Sequence, residues 1–381
     1  MAEYFPAGIR YTEALRTALT IASEAVERIA SRRLERLQRS GLWKQKLDFE
    51  RDRVVLLFFE DFDRDRVLPG DRHAVRVARR LVQAARSRQK VTGFGVAFAS
   101  LKRALQSAGY VVREQDFELA RANPHYPIGI AGYPHVLDRW RLPNPAVLGP
   151  GLLDHPRQRP DLMNDPRFAR YIVPCDWMRS MFGKTYPEDK LGTFFAGIDT
   201  TAWTDLASEP KDLDFIVYEK FLWDRKPLAE QLLSPILSTL SARGLTFEKI
   251  VYRHYDHQTY KSLLRRARGL IFLCEHETQG LAYQEAMASN VPVLAWDCEQ
   301  WCDPGRLRSG DERVPASSVP FFDARCGERF RGADEFPRAL DQFLASRARY
   351  EPRAYVIENL SLELSAQAYL KLYREAAAQA R

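Results

Sequence analysis

Cysteine and long apolar runs are scarce in this sequence of 381 residues. The five cysteines form no C-x-x-C pair, and only Cys298 and Cys302 lie close together, which excludes a disulfide-rich scaffold and favours a reduced chain. No apolar run reaches the roughly 20 residues that a membrane-spanning helix needs, and no secretory signal pattern opens the sequence. We therefore expect a cytoplasmic protein whose contact with membranes is at most peripheral.

Patterns for binding nucleic acid or zinc are also missing. The net charge of +7 favours anionic partners, but the sequence contains neither zinc-finger spacing nor the aromatic-basic strand motif of RNA-binding domains. Cys298 and Cys302 have no further Cys or His at zinc spacing, so we predict no metal site there. Nucleotide diphosphates and anionic lipid surfaces remain as candidate partners.

Apolar residues make up 45% of the chain, enough to fill the two cores that this length suggests. Short apolar runs alternate with helix-like stretches, which predicts parallel sheets covered on both faces. Strands are predicted at residues 54–60, 109–112, 128–133, 146–150, 170–174, 193–198, 213–219, 248–255, 269–275 and 291–297. Helices are predicted at residues 72–88, 226–242, 258–267, 280–289 and 361–376.

The predicted fold is α/β, with two doubly wound, Rossmann-like domains facing across a cleft. We expect these domains at residues 47–205 and 206–358, joined by a polar linker at 199–212, with a final helix at 359–381 that packs back on the first domain. Residues 1–46 form a predicted helical extension that is amphipathic and basic. This extension could lie on an anionic membrane, although its glutamates favour packing against protein.

The segment from Gly269 to Asp297 predicts a strand, a polar loop, a glycine, a helix and a second buried strand. Gly280 lets the backbone approach a ligand, and the amides that open the following helix suit a diphosphate. Glu277 and Glu285 would lie about 12 Å apart if the segment between them were wholly helical. That spacing matches a sugar nucleotide, with one carboxylate for the sugar and the other for the ribose.

This pattern resembles the signature of the retaining family-four glycosyltransferases of the GT-B type, which runs Glu, seven residues, Glu-Ala-Met-Ala and then Pro-Val. By that resemblance Glu277 contacts the donor sugar, Glu285 the ribose, and the amides around Gly280 and Leu281 the diphosphate. The sequence departs from the family at Thr278 and Gln279, which leaves the sugar open. The matching residues are Glu277, Gly280, Leu281, Glu285, Ala286, Met287, Ala288, Pro292 and Val293.

The resemblance also implies a basic clamp on the donor phosphates, formed by Lys220 with either Arg225 or Lys226. The family's glycine loop on the acceptor side resembles Gly93, Phe94 and Gly95, which we interpret as a turn before a helix.

Family members often carry a histidine near the donor sugar, and two histidines of this chain are candidates for that position. His155 is the first histidine after the matching strand, and His135 is the alternative. For each of them a structural role is favoured over a role in the site.

The acidic run from Glu60 to Asp65 contains D-x-D, the metal-holding pattern of single-domain GT-A transferases. Arginines interleave this run, and the two strand-helix halves of the chain do not suit a single GT-A domain. We therefore interpret the run as a solvated loop.

The sequence thus predicts a retaining hexosyl-type glycosyltransferase that takes a nucleotide diphosphosugar and a carbohydrate or lipid-linked acceptor. Lys220, Glu277 and His155 are the predicted catalytic residues, and neither a cofactor nor a metal is expected. Two alternatives stay open: a nucleotide-sugar-binding subunit without turnover, and a GT-B epimerase or phosphorylase.

Overall fold

The computed structural model describes residues 46–60, 93–138, 140–304 and 314–379. Three predicted features lie wholly or largely outside these ranges. They are the helical extension apart from Lys46, the helix at 72–88, and the acidic run apart from the backbone of Glu60.

Six parallel strands from the first half of the described chain form one sheet, in the order β2-β1-β3-β4-β5-β6. Aliphatic and aromatic side chains dominate β1, β3 and β4, and both faces of these strands are buried because helices cover them. The strands are β1 (Val54–Glu60), β2 (Val111–Glu114), β3 (Ile128–Gly132), β4 (Ala146–Gly151), β5 (Phe168–Val173) and β6 (Leu191–Thr193). The helices of this half are α1 (Phe49–Asp52), α2 (Gly93–Ser107), α3 (Phe117–Ala122) and α4 (Asp176–Phe182).

A second parallel sheet follows, with five described strands in the order β11-β10-β9-β7-β8. In each sheet the first strand lies between the second and the third, so the second sheet repeats the strand order of the first. The strands are β7 (Leu213–Lys220), β8 (Phe247–Val251), β9 (Ala267–Cys274), β10 (Val293–Trp296) and β11 (Gly327–Phe330).

The helices of the second half include one that is continuous through a π-helical turn. This helix runs as α5 (Arg225–Leu228), the π turn (Ala229–Leu233) and α6 (Ser234–Ala242). The others are α7 (His257–Arg266), α8 (Leu281–Ala288), α9 (Phe336–Ser346), α10 (Pro352–Asn359) and α11 (Leu362–Gln379).

The last helix, α11, returns to the first sheet and packs against β4, β5 and α2. Tyr373 on this helix is fully buried, and its hydroxyl donates to the carbonyl of Pro127 and accepts from the N–H of Leu56 at 3.0 Å. These bonds tie the end of the chain to the first sheet.

The structure differs from the sequence-based expectations in two segments that approach the site. Of the strand expected at 193–198, only Thr193 lies in the sheet, as the last residue of β6, because the segment that follows bonds instead to Gln279 and Ser365. Gly93, Phe94 and Gly95 belong to the first turn of α2 and do not form a separate turn before it.

Candidate functional site

The candidate site lies where β7 and β9 end side by side. Lys220, the last residue of β7, pairs in register with Cys274, the last residue of β9. In a sheet of this strand order the connections diverge between the first and third strands, which opens a crevice beyond their carboxyl ends where ligands bind. The loop that carries Glu277 begins one residue after β9 ends, so it borders this crevice.

Lys220 and Glu277 form an ion pair in the crevice. Their side chains are 14% and 12% exposed, so water screens the pair only in part. The ammonium group of Lys220 also lies over the ring of Tyr252, 4.6 Å from its centre. Burial alone would lower the pKa of Lys220, but the charge and hydrogen bond of Glu277, together with Cys274 and Tyr252, outweigh it and the pKa lies above its ordinary value. Lys220 therefore stays positively charged at any physiological pH.

Hydrogen bonds to the backbone of Glu277 hold its loop from two sides. The N–H of Glu277 donates to the carbonyl of Ser317, and its carbonyl accepts from Nε1 of Trp177, each at 2.9 Å. Trp177 belongs to α4 in the first half of the chain. The orientation of the Glu277 loop thus depends on both halves of the molecule.

The carboxylate of Glu275 binds the backbone of the loop that follows β7. It accepts from the backbone N–H groups of Leu222 and Trp223 at about 3.0 Å. Burial raises the pKa of Glu275 despite these two donors. The contact fixes the segment after Lys220 against the segment before Glu277.

Gly280 adopts a left-handed conformation immediately before helix α8. Gly280 has φ +79°, and a Cβ there would lie 2.0 Å from the ring of Tyr283. Only glycine fits this position without strain. The helix begins at Leu281, so its first N–H groups have no partner within the helix and carry partial positive charge.

Glu285 lies inside α8 with a side chain that is 12% exposed. Burial raises its pKa to about 8, and Lys261 opposes that rise. Nε2 of His257 lies 4.0 Å from this carboxylate, and burial lowers the pKa of that imidazole. The distance of about 12 Å expected for a wholly helical segment does not apply, because Glu277 precedes the first residue of α8 by four positions.

Gln279 and Thr278, two further residues predicted to bind the donor, lie between Glu277 and Gly280. The side-chain carbonyl of Gln279 accepts from the N–H of Ala196 at 2.8 Å, and its amide donates to Gln284. Gln279 is thus bonded to the connection between the sheets, and Thr278 lies half-buried beside it.

The two candidates for a second clamp residue differ in what they contact. Arg225 and Lys226 are both exposed, but the guanidinium of Arg225 bonds to Glu219 at 2.8 Å. The choice between them stays open.

The predicted residues of the first half lie near the carboxyl ends of β3 and β4. Phe94 contacts the ring of Tyr133 at 5.0 Å and borders Gly151. His155 is buried, and its Nδ1 accepts from the N–H of Arg157, which caps a short 3-10 helix. His135 stacks on Tyr133. The cap is a local structural contact of His155, and its role in the site stays a prediction.

An aromatic cluster next to Glu277 was not predicted from the sequence. The ring of His276 stacks on Trp223 at 5.0 Å and meets Trp177 and Trp301 edge to face. His155 stacks on the same Trp301 at 5.8 Å. Burial, with Lys220 nearby, lowers the pKa of His276 to about 3, so this imidazole is neutral. The only sequence signal was the position of His276 beside the first glutamate of the motif.

The described residues include no group of three or more Cys, His, Asp or Glu side chains arranged to hold a metal ion. Across the same part of the chain, no helix is both long enough and apolar enough to cross a membrane.

Comparisons with known proteins identify the fold. Neither protein-family models nor curated protein sequences match this chain, whereas solved structures do. AviGT4, a glycosyltransferase involved in avilamycin A biosynthesis, is 14% identical with a TM-score of 0.50, and the match covers 85% of this chain and 98% of AviGT4. The catalytic domain of starch synthase IV from Arabidopsis thaliana, bound to ADP and acarbose, is 13% identical with a TM-score of 0.50, and 85% of this chain and 99% of that domain are covered. The two parallel sheets and their helices form the two-domain, Rossmann-like GT-B fold.

Proposed function

We propose that this chain is a glycosyltransferase that moves a sugar from a nucleotide diphosphosugar to a carbohydrate or lipid-linked acceptor, with retention of configuration. The observation that carries the proposal is the Lys220–Glu277 ion pair, at the switch point of the second sheet, next to the open N-terminus of α8. A fixed cation, a carboxylate and unpaired amides in one crevice match the phosphates and hydroxyls of such a donor.

The proposed donor lies along the carboxyl edge of the second sheet. Its diphosphate binds the amides of Gly280 and Leu281, and Lys220 neutralises the charge that develops on the leaving phosphate. Glu277 accepts from hydroxyls of the sugar, and Glu285 accepts from the ribose. The starch synthase structure holds ADP, which supports a nucleoside diphosphate as the ligand class.

The acceptor enters from the first half of the chain, past Gly93, Phe94 and Gly95. The leaving phosphate deprotonates the attacking hydroxyl on the same face of the sugar, so the anomeric configuration is retained. His155 contributes to the reaction indirectly. Its ring stacks on Trp301, and this stacking positions the aromatic cluster beside Glu277. The positions of the carboxylates alone do not determine the stereochemistry. Retention is supported by the resemblance in sequence to the retaining family.

Lys220 and the helix amides supply the positive charge that a divalent ion supplies in metal-dependent transferases. We therefore predict that EDTA leaves the transfer rate unchanged. Loss of activity in EDTA that Mg²⁺ or Mn²⁺ restores would contradict this prediction.

The function can be tested in two steps. Uridine, guanosine, adenosine and thymidine diphosphosugars are screened for thermal stabilisation, because a ligand that binds only the native state raises the melting point. The donor that stabilises the chain is then incubated with candidate acceptors, and release of nucleoside diphosphate is measured together with the anomeric configuration of the product. Acceptor-dependent release with retention is expected. Binding without transfer or hydrolysis would favour the non-catalytic subunit instead.

A further inference from the structure

Two thiols lie within reach of each other just after β10. The sulfur atoms of Cys298 and Cys302 are 3.6 Å apart, and both side chains are partly exposed. A disulfide requires about 2.05 Å, so the sulfur atoms would have to approach by about 1.5 Å. The other three cysteines, Cys175, Cys274 and Cys326, are buried.

The pKa of Cys298 is shifted in the opposite direction from the pKa values of the buried cysteines. The Cys302 thiol next to Cys298 lowers the pKa of Cys298 against the opposing effect of burial. Burial raises the pKa of both Cys175 and Cys326 to about 12. Because the thiolate is the form that reacts with oxidants, oxidation would select Cys298 among these residues.

We propose that Cys298 and Cys302 are a reversible oxidation site that forms a disulfide upon reaction with a hydroperoxide. The Cys298 thiolate attacks the terminal peroxide oxygen, the O–O bond breaks, and Cys298 becomes a sulfenic acid while the peroxide is reduced to an alcohol or water. The thiol of Cys302 then attacks the sulfenic sulfur. The S–S bond forms, the S–O bond breaks, and the hydroxyl leaves as water with the proton of Cys302.

The closed loop is short, since the two cysteines are four positions apart. A loop this small gains little stability from closure. Exposed or strained disulfides of this kind are easily reduced and serve regulation more often than structure. A cytoplasmic thiol pool would therefore reopen the disulfide once the peroxide is gone.

Closure of this disulfide would act through two routes on the Glu277 loop, which is the donor loop of the proposed function. The sulfur of Cys298 contacts the backbone carbonyl of Glu275 at 3.2 Å, two residues before Glu277. Trp301, which lies between the two cysteines in sequence, packs against Trp177, whose Nε1 donates to the carbonyl of Glu277. Pulling the two sulfurs together shifts both contacts, so the disulfide lowers donor affinity. This consequence rests on the proposed function, whereas the disulfide itself does not.

The experiment uses the full, reduced chain and graded amounts of hydrogen peroxide. Intact-mass measurement should show the loss of two hydrogen atoms, and fragmentation should place the bond between Cys298 and Cys302, reversibly with dithiothreitol. Donor affinity of the oxidised chain should fall several-fold and recover on reduction. C302S should form no disulfide and should accumulate a Cys298 sulfenic acid that dimedone traps. The matched control C326S should behave like the parent.

Each outcome decides one part of the proposal. If both thiols remain free for alkylation at peroxide levels that convert ordinary low-pKa thiols, the oxidation site is wrong. If the disulfide forms but donor affinity is unchanged, the link to the donor loop is wrong. If the reduced chain binds no nucleotide sugar, the proposed function fails, and the mass spectra still decide whether the disulfide forms.

Discussion

Glu285 shows how a single buried carboxyl sets a measurable dependence of stability on pH. Its pKa in the folded chain is about 8, above the ordinary value of 4.5, because burial disfavours the charged form. The folded state therefore holds the proton more tightly than the unfolded state. The resulting stability is fully present below pH 4.5 and is lost as the pH rises through about 8.

Replacing Glu285 with glutamine should remove this dependence. Without ligand, the free energy of unfolding of the parent should fall by a few kcal/mol relative to E285Q between pH 5 and pH 9. Denaturant unfolding at several pH values measures the difference, with E230Q at an exposed helical position as the control. Parallel curves for the parent and E285Q would show that Glu285 ionises normally in the folded chain.

The sequence predicted the strands that precede Lys220 and Glu277 but not the contacts around these two residues. Lys220 and Glu277 follow strands that the apolar pattern revealed, and the rule for carboxyl ends of parallel strands brings them together. The pattern could not reveal that Gln279 bonds to Ala196 or that Trp177 bonds to Glu277. These contacts join residues 83 and 100 positions apart, and local periodicity carries no information about them.

At the scale of elements, helix α8 depends on the left-handed conformation of Gly280. We predict that G280A lowers the free energy of unfolding by roughly 3 kcal/mol and abolishes detectable donor binding, because the added Cβ collides with the buried ring of Tyr283. Gly244 offers a matched control, since it also has positive φ but open space around its Cβ. G244A should cost roughly 1 kcal/mol and leave donor binding intact. Equal effects in the two variants would refute a special role for Gly280.

The elements most readily predicted were the buried parallel strands. Continuous runs of branched and aromatic residues, as in β1 and β9, are distinctive because both faces of these strands are covered. Strand β11 was not predicted, because Gly327–Phe330 includes the charged residues Glu328 and Arg329 at the sheet edge. The π turn at Ala229–Leu233 likewise has no signal in the helical period.

At the scale of the whole molecule, Trp177 connects the first half of the chain to the Glu277 loop of the second. W177F keeps an aromatic ring, although a smaller one, and removes the indole N–H that donates to the Glu277 carbonyl. A lost hydrogen bond of about 1 kcal/mol should reduce the transfer rate about five-fold. In W140F the same change should have no effect, because Nε1 of the buried Trp140 has no acceptor among the described residues. Steady-state kinetics of both variants provide the comparison, and equal rates for W177F and the parent would exclude this coupling.

Two α/β halves could be predicted from the sequence, whereas their strand orders could not. Alternation of strands and helices implies parallel sheets, but the order in which strands pair is determined by crossovers between distant segments. The repeated order in the two sheets and the return of α11 to the first sheet became visible only in three dimensions.

The central claim is that Lys220 and Glu277 form the reacting end of a sugar-nucleotide site. The most direct measurement is the transfer rate of K220A and E277A with the donor and acceptor identified by screening. K102A serves as a control because Lys102 pairs with Glu114 away from this site. We predict that both site variants remain folded and lose about 100-fold or more in rate, while K102A keeps the parental rate. Folded K220A and E277A proteins that transfer sugar as fast as the parent would contradict the account.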